Sequence, residues 1–209
     1  MILPPGVGGV VFGTRTLGDG RSDPTARSSV SVELGISKDW ATVKQVHGTG
    51  VVAVSEPGFY GEADALVTTM IGLPIVIATA DCVPVVLLGS TTRAVAHAGW
   101  RGVAGGVVPA TVDRMQALGD QPTVAILGPH IGSCCYEVGR EVIEEVGGFA
   151  ARTRSGTPSV DLAAAIRCQL PGVEVLDIGR CTHDDPSMAS YREDGTSERQ
   201  VTIVWIPRD

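Results

Sequence analysis

Short apolar runs separated by polar, glycine-rich turns make up most of the chain. Runs of four to eight residues, rich in Val, Ile and Leu and bounded by Gly, Pro or Asp, are typical of β-strands. The predicted strands are, in chain order, residues 9–12, 40–46, 51–54, 65–68, 74–80, 83–88, 93–97, 123–127, 173–178 and 200–205. The runs at 83–88 and 93–97 predict an antiparallel pair across a tight turn.

Apolar residues at helical spacing occur in three places and predict helices over residues 105–118, 140–146 and 161–169. In the first of these, Val108, Val112 and Met115 recur on one face, and Gly119 is suited to end the helix. Residues 18–27 are polar and rich in turn formers, which predicts a surface loop.

Helices and strands are interspersed without strict β-α-β alternation, which favours an α+β fold with mixed sheets covered by helices. The 209 residues contain no tandem repeat and no linker, so we expect a single domain over residues 1–209. Hydrophobic residues make up 44% of the chain and aromatic residues only 4%, so the core must be aliphatic.

Composition excludes several classes of partner. A net charge of −7 gives no extended basic surface for nucleic acid or an anionic membrane, although a local positive site could still bind a small anion. The apolar stretch 73–88 is interrupted by Asp81 and two prolines, so it is not a membrane span. Five cysteines and an N-terminus unlike a signal peptide predict reduced thiols in the cytoplasm. The oligomeric state is left open, and a monomer is favoured.

Four segments place rare polar residues at the ends of predicted strands, where rigid scaffolds present functional groups. They are QVHG at 45–48, ADCVP at 80–84, VAHAGWRG at 95–102 and GPHIGSCCYEVG at 128–139. Thiolate and imidazole are preferred ligands of zinc, and a set of three leaves the fourth position open for water or substrate. His47, Cys82 and His97 are therefore candidate ligands. Their long spacing has no zinc-finger signature, so the residues alone favour three unrelated groups, namely two hydrogen-bonded histidines and a buried thiol.

The segments VKQVHG, ADALVTT, TADCVPVVL, AHAGWRG and GPHIGSCCYEVG together resemble the YfiH/laccase-domain family, also called the polyphenol oxidase or purine nucleoside phosphorylase family. The resemblance covers residues 43–205 and includes the RCT element at 180–182 and the SYR element at 190–192. It implies a layered α/β/β/α fold and a zinc ion bound by His47, Cys82 and His97. Residues 18–38 are shorter than the family's usual front end, which leaves the substrate contacts of that region in question.

The same resemblance implies a zinc-dependent enzyme of purine nucleosides, whose open metal site activates water or phosphate. The implied reactions are phosphorolysis of adenosine, inosine, guanosine and methylthioadenosine, together with deamination of adenosine. The implied partners are therefore purine nucleosides and phosphate.

Four further residues are candidates for roles in catalysis or substrate binding. Asp81 could orient a ligand or carry a proton, or it could hold the turn. Arg101 offers a donor fork for phosphate or a sugar hydroxyl, or it could form a surface ion pair. Gln45 could reach the substrate, and Arg15 could be a pocket cation or a solvated loop residue. The predicted catalytic residues are His47, Cys82, His97, Asp81 and Arg101, and the predicted substrate contacts are Gln45, Arg101 and Arg15.

Three other functions use the same residues. A copper-dependent phenol oxidase is one, although four histidines are too few for a multicopper enzyme and leave only a single copper in the His/Cys/His site. A metal-free hydrolase or amidase acting on cell-wall precursors could use Cys82 as nucleophile and His97 as base. A protein that holds zinc only as an interaction module is the third.

A second group of candidate residues comprises His130, Cys134 and Cys135. Because Cys134 and Cys135 are adjacent, their side chains are expected to diverge, which makes chelation by both poor. We expect the thiols to pack in the core or against loops, or to line a pocket, and we do not expect His130 to be a ligand.

Overall fold

The computed structural model describes residues 1–208, which form two large β-sheets packed face to face with helices on both outer sides. The strands are β1 (Val10–Phe12), β2 (Ala41–Lys44), β3 (Val51–Ala53), β4 (Gly58–Glu62), β5 (Ala65–Thr68), β6 (Ile75–Thr79), β7 (Val83–Leu88), β8 (Arg93–Ala98), β9 (Val124–Leu127), β10 (Ala150–Arg152), β11 (Pro158–Val160), β12 (Glu174–Asp177) and β13 (Gln200–Val204). The helices are α1 (Pro24–Leu34), α2 (Trp100–Gly105), α3 (Val107–Ala117), α4 (Arg140–Glu145), α5 (Leu162–Cys168) and α6 (Tyr191–Asp194), preceded by a single 3₁₀ turn at Arg15–Leu17.

Both large sheets are mixed. The first has the strand order β1-β13-β6-β2-β4, in which β13 runs antiparallel to β6 and β2 runs parallel to it. The second has the order β12-β9-β7-β8-β5-β3, with β7 antiparallel to both β8 and β9. Strands β10 and β11 form a separate hairpin.

Successive side chains of each strand point to opposite faces of its sheet, and the apolar ones pack into three separate cores. On β7, Val85 and Leu87 pack with residues of α3 and α5, whereas Val86 and Leu88 pack against the first sheet. A third core lies under α1, on the outer face of β6 and β13, where Trp40 is buried. The layers therefore run helix, sheet, sheet, helix, which confirms the predicted α+β fold with its layered α/β/β/α arrangement.

One local prediction was wrong. Residues 24–27, predicted as loop, begin α1, because the Asp23 carboxylate accepts hydrogen bonds from the backbone N–H groups of Thr25 and Ala26 and caps the helix. The predicted helix 105–118 is confirmed as α3 (Val107–Ala117). Gly106, in a left-handed conformation with φ 89°, separates α3 from the preceding helix α2.

Strands β4, β10 and β11 and helices α2 and α6 were not predicted. No helix within residues 1–208 has the combined length and apolar character that crossing a bilayer requires.

Candidate metal centre in a basic pocket

Three strand ends bring His47, Cys82 and His97 together. His47 follows β2, Cys82 lies in the turn between β6 and β7, and His97 is on β8. Because Pro84 pairs with His97 across β7 and β8, the turn that carries Cys82 lies beside that imidazole. One ligating atom from each of the three side chains lies within 4.8 Å of the others. The two imidazole rings meet edge to face, with their centroids 4.7 Å apart.

A buried carboxylate that the sequence analysis did not single out organises this group. Asp64 has no exposed surface, and its Oδ1 lies 2.8 Å from Nδ1 of His97. The same carboxylate accepts hydrogen bonds from the backbone N–H groups of His47, at 2.9 Å, and Gly48, at 2.7 Å. Such a partner on Nδ1 orients the ring and leaves Nε2 available to a metal. Asp64 therefore holds the imidazole ring of His97 and the backbone of His47 in place.

The charges of the group suit metal ligation. Burial raises the pKa of Cys82, but the imidazoles of His47 and His97 outweigh it and lower that pKa to about 6. Burial lowers the pKa of His97, while Asp64 and Cys82 raise it, and the result is about 9. Cys82 is thus held as a thiolate at neutral pH, which is the form that binds metals, whereas His97 carries a proton that a bound metal would displace.

The donor set fits a resident metal. One thiolate and two imidazoles match the preferences of zinc, and copper also favours such ligands. His97 is buried, Cys82 is half-buried and His47 is exposed, so the group opens toward solvent on the His47 side. Three protein ligands with one open side correspond to a catalytic rather than a closed structural site.

Backbone strain is concentrated at this centre. His47 and Asp81, with φ values of 60° and 81°, are the non-glycine residues with positive φ in the part of the chain described. Such conformations cost free energy and persist where surrounding contacts enforce them. Asp81 Oδ1 accepts a hydrogen bond from the Thr182 hydroxyl, and Oδ2 accepts one from the backbone N–H of Arg192. Its carboxylate therefore ties the Cys82 turn to two distant segments.

The metal group opens into a pocket of about 590 Å³. Five cationic and three aromatic side chains contribute to its walls, so the pocket is basic although the chain is acidic overall. These residues are Arg21, Lys44, Arg101, Arg192, Arg199, Trp100, Tyr136 and Tyr191. Local positive charge beside aromatic surface suits a ligand that combines an anion with a flat ring.

The predicted substrate contacts have different positions. Gln45 lines the pocket, and its amide pairs with the backbone of Ala78, donating to the carbonyl at 2.7 Å and accepting from the N–H at 2.9 Å. Arg101 also lines the pocket and lies over the Trp100 ring, 4.2 Å from its centroid. Among residues 1–208 it has no carboxylate within ion-pair distance.

Arg15 is placed elsewhere. Its guanidinium pairs with Asp194 at 2.6 Å and with Glu198 at 3.0 Å, and it is not part of the pocket wall. Arg21, from the segment predicted as a surface loop, lies in the wall instead and hydrogen-bonds Gln45. The short front end thus contributes a cation to the pocket.

The second candidate group lies outside this pocket. His130 is buried, with Nδ1 2.8 Å from the carbonyl oxygen of Gly128. The expected divergence of Cys134 and Cys135 is wrong, since their Sγ atoms lie 3.3 Å apart. Both residues belong to a turn, where successive side chains do not alternate as they do on a strand.

Gly99 makes room for two of the candidate metal ligands, and its replacement has a predictable effect. A Cβ atom there would lie 2.9 Å from Sγ of Cys82 and 3.0 Å from Cδ2 of His47. Gly99→Ala is therefore expected to displace both ligands and to weaken metal binding by at least about 10-fold, as displaced ligand supports do. Competition with a chromophoric chelator measures the affinity.

Gly8→Ala is the matched control, because its Cβ would meet only Pro207 at an ordinary contact distance of 3.4 Å. Unchanged metal affinity in Gly99→Ala would show that the ligands do not need the close approach seen here.

The chain is similar to known proteins both in sequence and in structure. The family described as multi-copper polyphenol oxidoreductase laccase matches residues 14–207. A Corynebacterium glutamicum protein named purine nucleoside phosphorylase is 35% identical over 207 residues, covering 90% of this chain and 84% of the relative. A protein of the same name from Deinococcus radiodurans is 38% identical over 208 residues, covering 91% and 81%.

Among solved structures, the hypothetical protein YfiH of Bacillus licheniformis superimposes with a TM-score of 0.83. The superposition covers 94% of this chain and 92% of that protein, at 23% sequence identity. This likeness shows the fold.

Proposed function

The chain belongs to the laccase-domain (YfiH) family, and from that membership we propose that it is a zinc-dependent purine nucleoside phosphorylase. The observation that carries the proposal is a His/Cys/His group that opens into a pocket with cationic and aromatic walls. His47, Cys82 and His97 would hold the zinc ion, and Asp64 would orient His97. A zinc ion bound there would supply Lewis-acid stabilisation of developing negative charge.

The pocket offers each part of a nucleoside and phosphate a complementary group. Arg101 presents a guanidinium fork whose planar geometry matches phosphate oxygens. Trp100 and Tyr136 line the pocket, with Arg101 over the first ring and Arg192 over the second, and a purine would stack on the aromatic surface that these guanidinium groups leave uncovered. Burial raises the pKa of Tyr136 to about 12, so its hydroxyl keeps its proton and can donate a hydrogen bond.

The proposed reaction is displacement at the sugar. A phosphate oxygen bonds to C1′ of the ribose as the C1′–N9 bond breaks, and the bonding electron pair leaves with the purine. The purine takes up the proton that dihydrogen phosphate gives up, so the products are the free base and ribose 1-phosphate. We propose adenosine, inosine, guanosine and methylthioadenosine as substrates, and deamination of adenosine, in which water displaces ammonia, as an accompanying activity of the same pocket.

An assay with inosine tests the proposal. Hypoxanthine and ribose 1-phosphate are measured by chromatography, with and without phosphate, before and after removal of metal by a chelator. We expect both products only when phosphate is present, loss of both after chelation, and recovery when zinc is returned. Equal release of hypoxanthine without phosphate, with free ribose as the other product, would contradict phosphorolysis.

The phosphate role of Arg101 gives a separate prediction. Arg101→Gln is expected to raise KM for phosphate by roughly 10- to 100-fold, because a charge-assisted hydrogen bond contributes about 1.5–3 kcal/mol. Metal content should not change, since Arg101 is not among the ligands. Steady-state kinetics at varied phosphate concentration measure the effect.

Arg140→Gln serves as the control for Arg101→Gln, because Arg140 is exposed on α4 and, within residues 1–208, forms an ion pair only with Glu144. The phosphate role would be refuted if Arg101→Gln and Arg140→Gln had the same KM for phosphate.

One observation favours a second candidate, a metal-free thiol hydrolase or amidase. Cys82, His97 and Asp64 lie in the order thiol, imidazole, carboxylate, which is the arrangement of an activated nucleophile. With its pKa near 6, the Cys82 thiol would be reactive at neutral pH. Chelation separates the two functions, because a thiol hydrolase should keep its activity after metal removal and lose it on alkylation.

A copper-dependent phenol oxidase is the remaining alternative for the same ligands. Protein loaded with one equivalent of copper and supplied with a phenol and oxygen should, in our proposal, give no phenol turnover comparable to its phosphorolysis with zinc.

A further inference from the structure

Three thiols and a carboxylate form a second cluster that the proposed phosphorolysis does not use. Cys134 and Cys135 lie in a turn after β9, whereas Cys181 and Asp184 lie in the segment after β12. One ligating atom from each of the four side chains lies within 4.8 Å of the others. The three thiols are half-buried and Asp184 is exposed, and the cluster lies apart from the pocket that contains His47.

The spacing within this cluster matches a tetrahedral zinc site. With zinc–sulfur bonds of about 2.3 Å, two thiolate ligands lie roughly 3.8 Å apart. The Sγ atom of Cys134 lies 3.3 Å from that of Cys135 and 4.0 Å from that of Cys181. A thiolate and a carboxylate oxygen on the same ion are roughly 3.5 Å apart. Asp184 Oδ1 lies 3.3 Å from the Cys135 sulfur, so small adjustments would complete the tetrahedron.

Neighbouring groups support the negative charge that such a ligand set would carry. The backbone N–H of Gly132 points to the Cys181 sulfur at 3.3 Å. Arg154 donates to both carboxylate oxygens of Asp184, and its Nη1 lies 3.6 Å from the Cys135 sulfur. Hydrogen bonds of this kind orient metal ligands and tune them.

From this arrangement we propose that Cys134, Cys135, Cys181 and Asp184 bind a second zinc ion in a closed, structural site. Four protein ligands leave no open position, which distinguishes the cluster from the His47 centre. The ion would cross-link two segments that support the wall of the pocket containing His47. One carries Tyr136, and the other carries Thr182, which holds Asp81.

Metal stoichiometry tests this proposal. Metal-free protein, kept reduced with a non-thiol reductant, is titrated with zinc alone, and bound zinc per chain is measured by elemental analysis. We expect two ions in the wild type and one in Cys181→Ser. Cys168→Ser is the matched control, because Cys168 is exposed at the end of α5, and it should keep both ions. Equal zinc content in Cys181→Ser and the wild type would overturn the second site.

Failure of the second zinc site and failure of the proposed function give different results in this test. His47→Ala should lose one ion and keep the other, and a variant that lost neither would contradict the His47 centre while leaving the cluster intact. Cobalt substitution provides a readout that leaves the cluster unmodified. Cobalt-loaded Cys82→Ser should retain most of the thiolate-to-cobalt charge-transfer absorption, because three of the four proposed thiolate ligands remain. Complete loss of that absorption in Cys82→Ser would also overturn the proposal.

Discussion

His47→Ala is expected to remove the catalytic metal ion and to lower kcat/KM for inosine phosphorolysis by on the order of 10³-fold. His47 is the exposed member of the His/Cys/His group, and its loss leaves two ligands, which cannot hold zinc firmly. A bound metal contributes several kcal/mol to charge stabilisation, and each 1.36 kcal/mol corresponds to about a tenfold change in rate. Elemental analysis and initial rates at saturating phosphate measure the two effects.

Because His47 has a positive φ, a second variant is needed to separate loss of the ligand from backbone strain. With φ at 60°, alanine at this position is strained, whereas asparagine tolerates the left-handed region. His47→Asn should therefore fold as the wild type does and still lose metal and activity. Wild-type metal content and rate in a folded His47→Asn would show that this residue is not a ligand.

Asp64→Asn is expected to weaken zinc binding by roughly 10- to 100-fold and to lower the rate in proportion. The carboxylate accepts hydrogen bonds from His97 and from the backbone N–H groups of His47 and Gly48. An asparagine amide replaces one acceptor oxygen with a donor, so at least one of these N–H groups loses its partner. Both ligand positions loosen together, and zinc titration of the metal-free protein reports the loss.

A control is needed because losing a buried hydrogen-bond acceptor also destabilises the fold. Asp120 is suited to this purpose, since its carboxylate accepts hydrogen bonds from Thr91 and Thr92 and holds the β7–β8 turn in a similar way. Asp120→Asn should lower the thermal midpoint while leaving zinc affinity unchanged. If Asp64→Asn and Asp120→Asn lost stability equally and both kept wild-type zinc affinity, Asp64 would have no role in the metal centre.

The limits of sequence reasoning are visible at the metal centre. Residue chemistry and family resemblance select His47, Cys82 and His97, but spacing alone cannot bring them together. Their convergence depends on how the first sheet, whose strand β2 leads to His47, packs on the second, and on the register that sets Pro84 opposite His97. Asp64 was missed for the same reason. Only the pairing of β5 with β8, in which Ala65 lies opposite Ala96, brings this carboxylate beside His97.

Local rules failed where tertiary contacts override them. Helix α1 has a weak apolar pattern, and Val30 is its buried hydrophobic residue, so the polar start of the helix resembles a loop. Arg15 and Arg21 lie in the same front segment, and nothing in their local sequence tells which one faces the pocket. Cys134 and Cys135 were expected to diverge because they are adjacent in the chain, and the turn brings their sulfur atoms together instead.

Anomalous diffraction at the zinc absorption edge tests most directly whether one ion joins the three strand ends. Crystals of protein purified without chelator and supplied with zinc should show an anomalous peak within bonding distance of the ligating atoms of His47, Cys82 and His97. The same crystals of His47→Asn should lack that peak. Wild-type crystals that bind zinc elsewhere and show no peak among these three side chains would contradict the proposed catalytic centre.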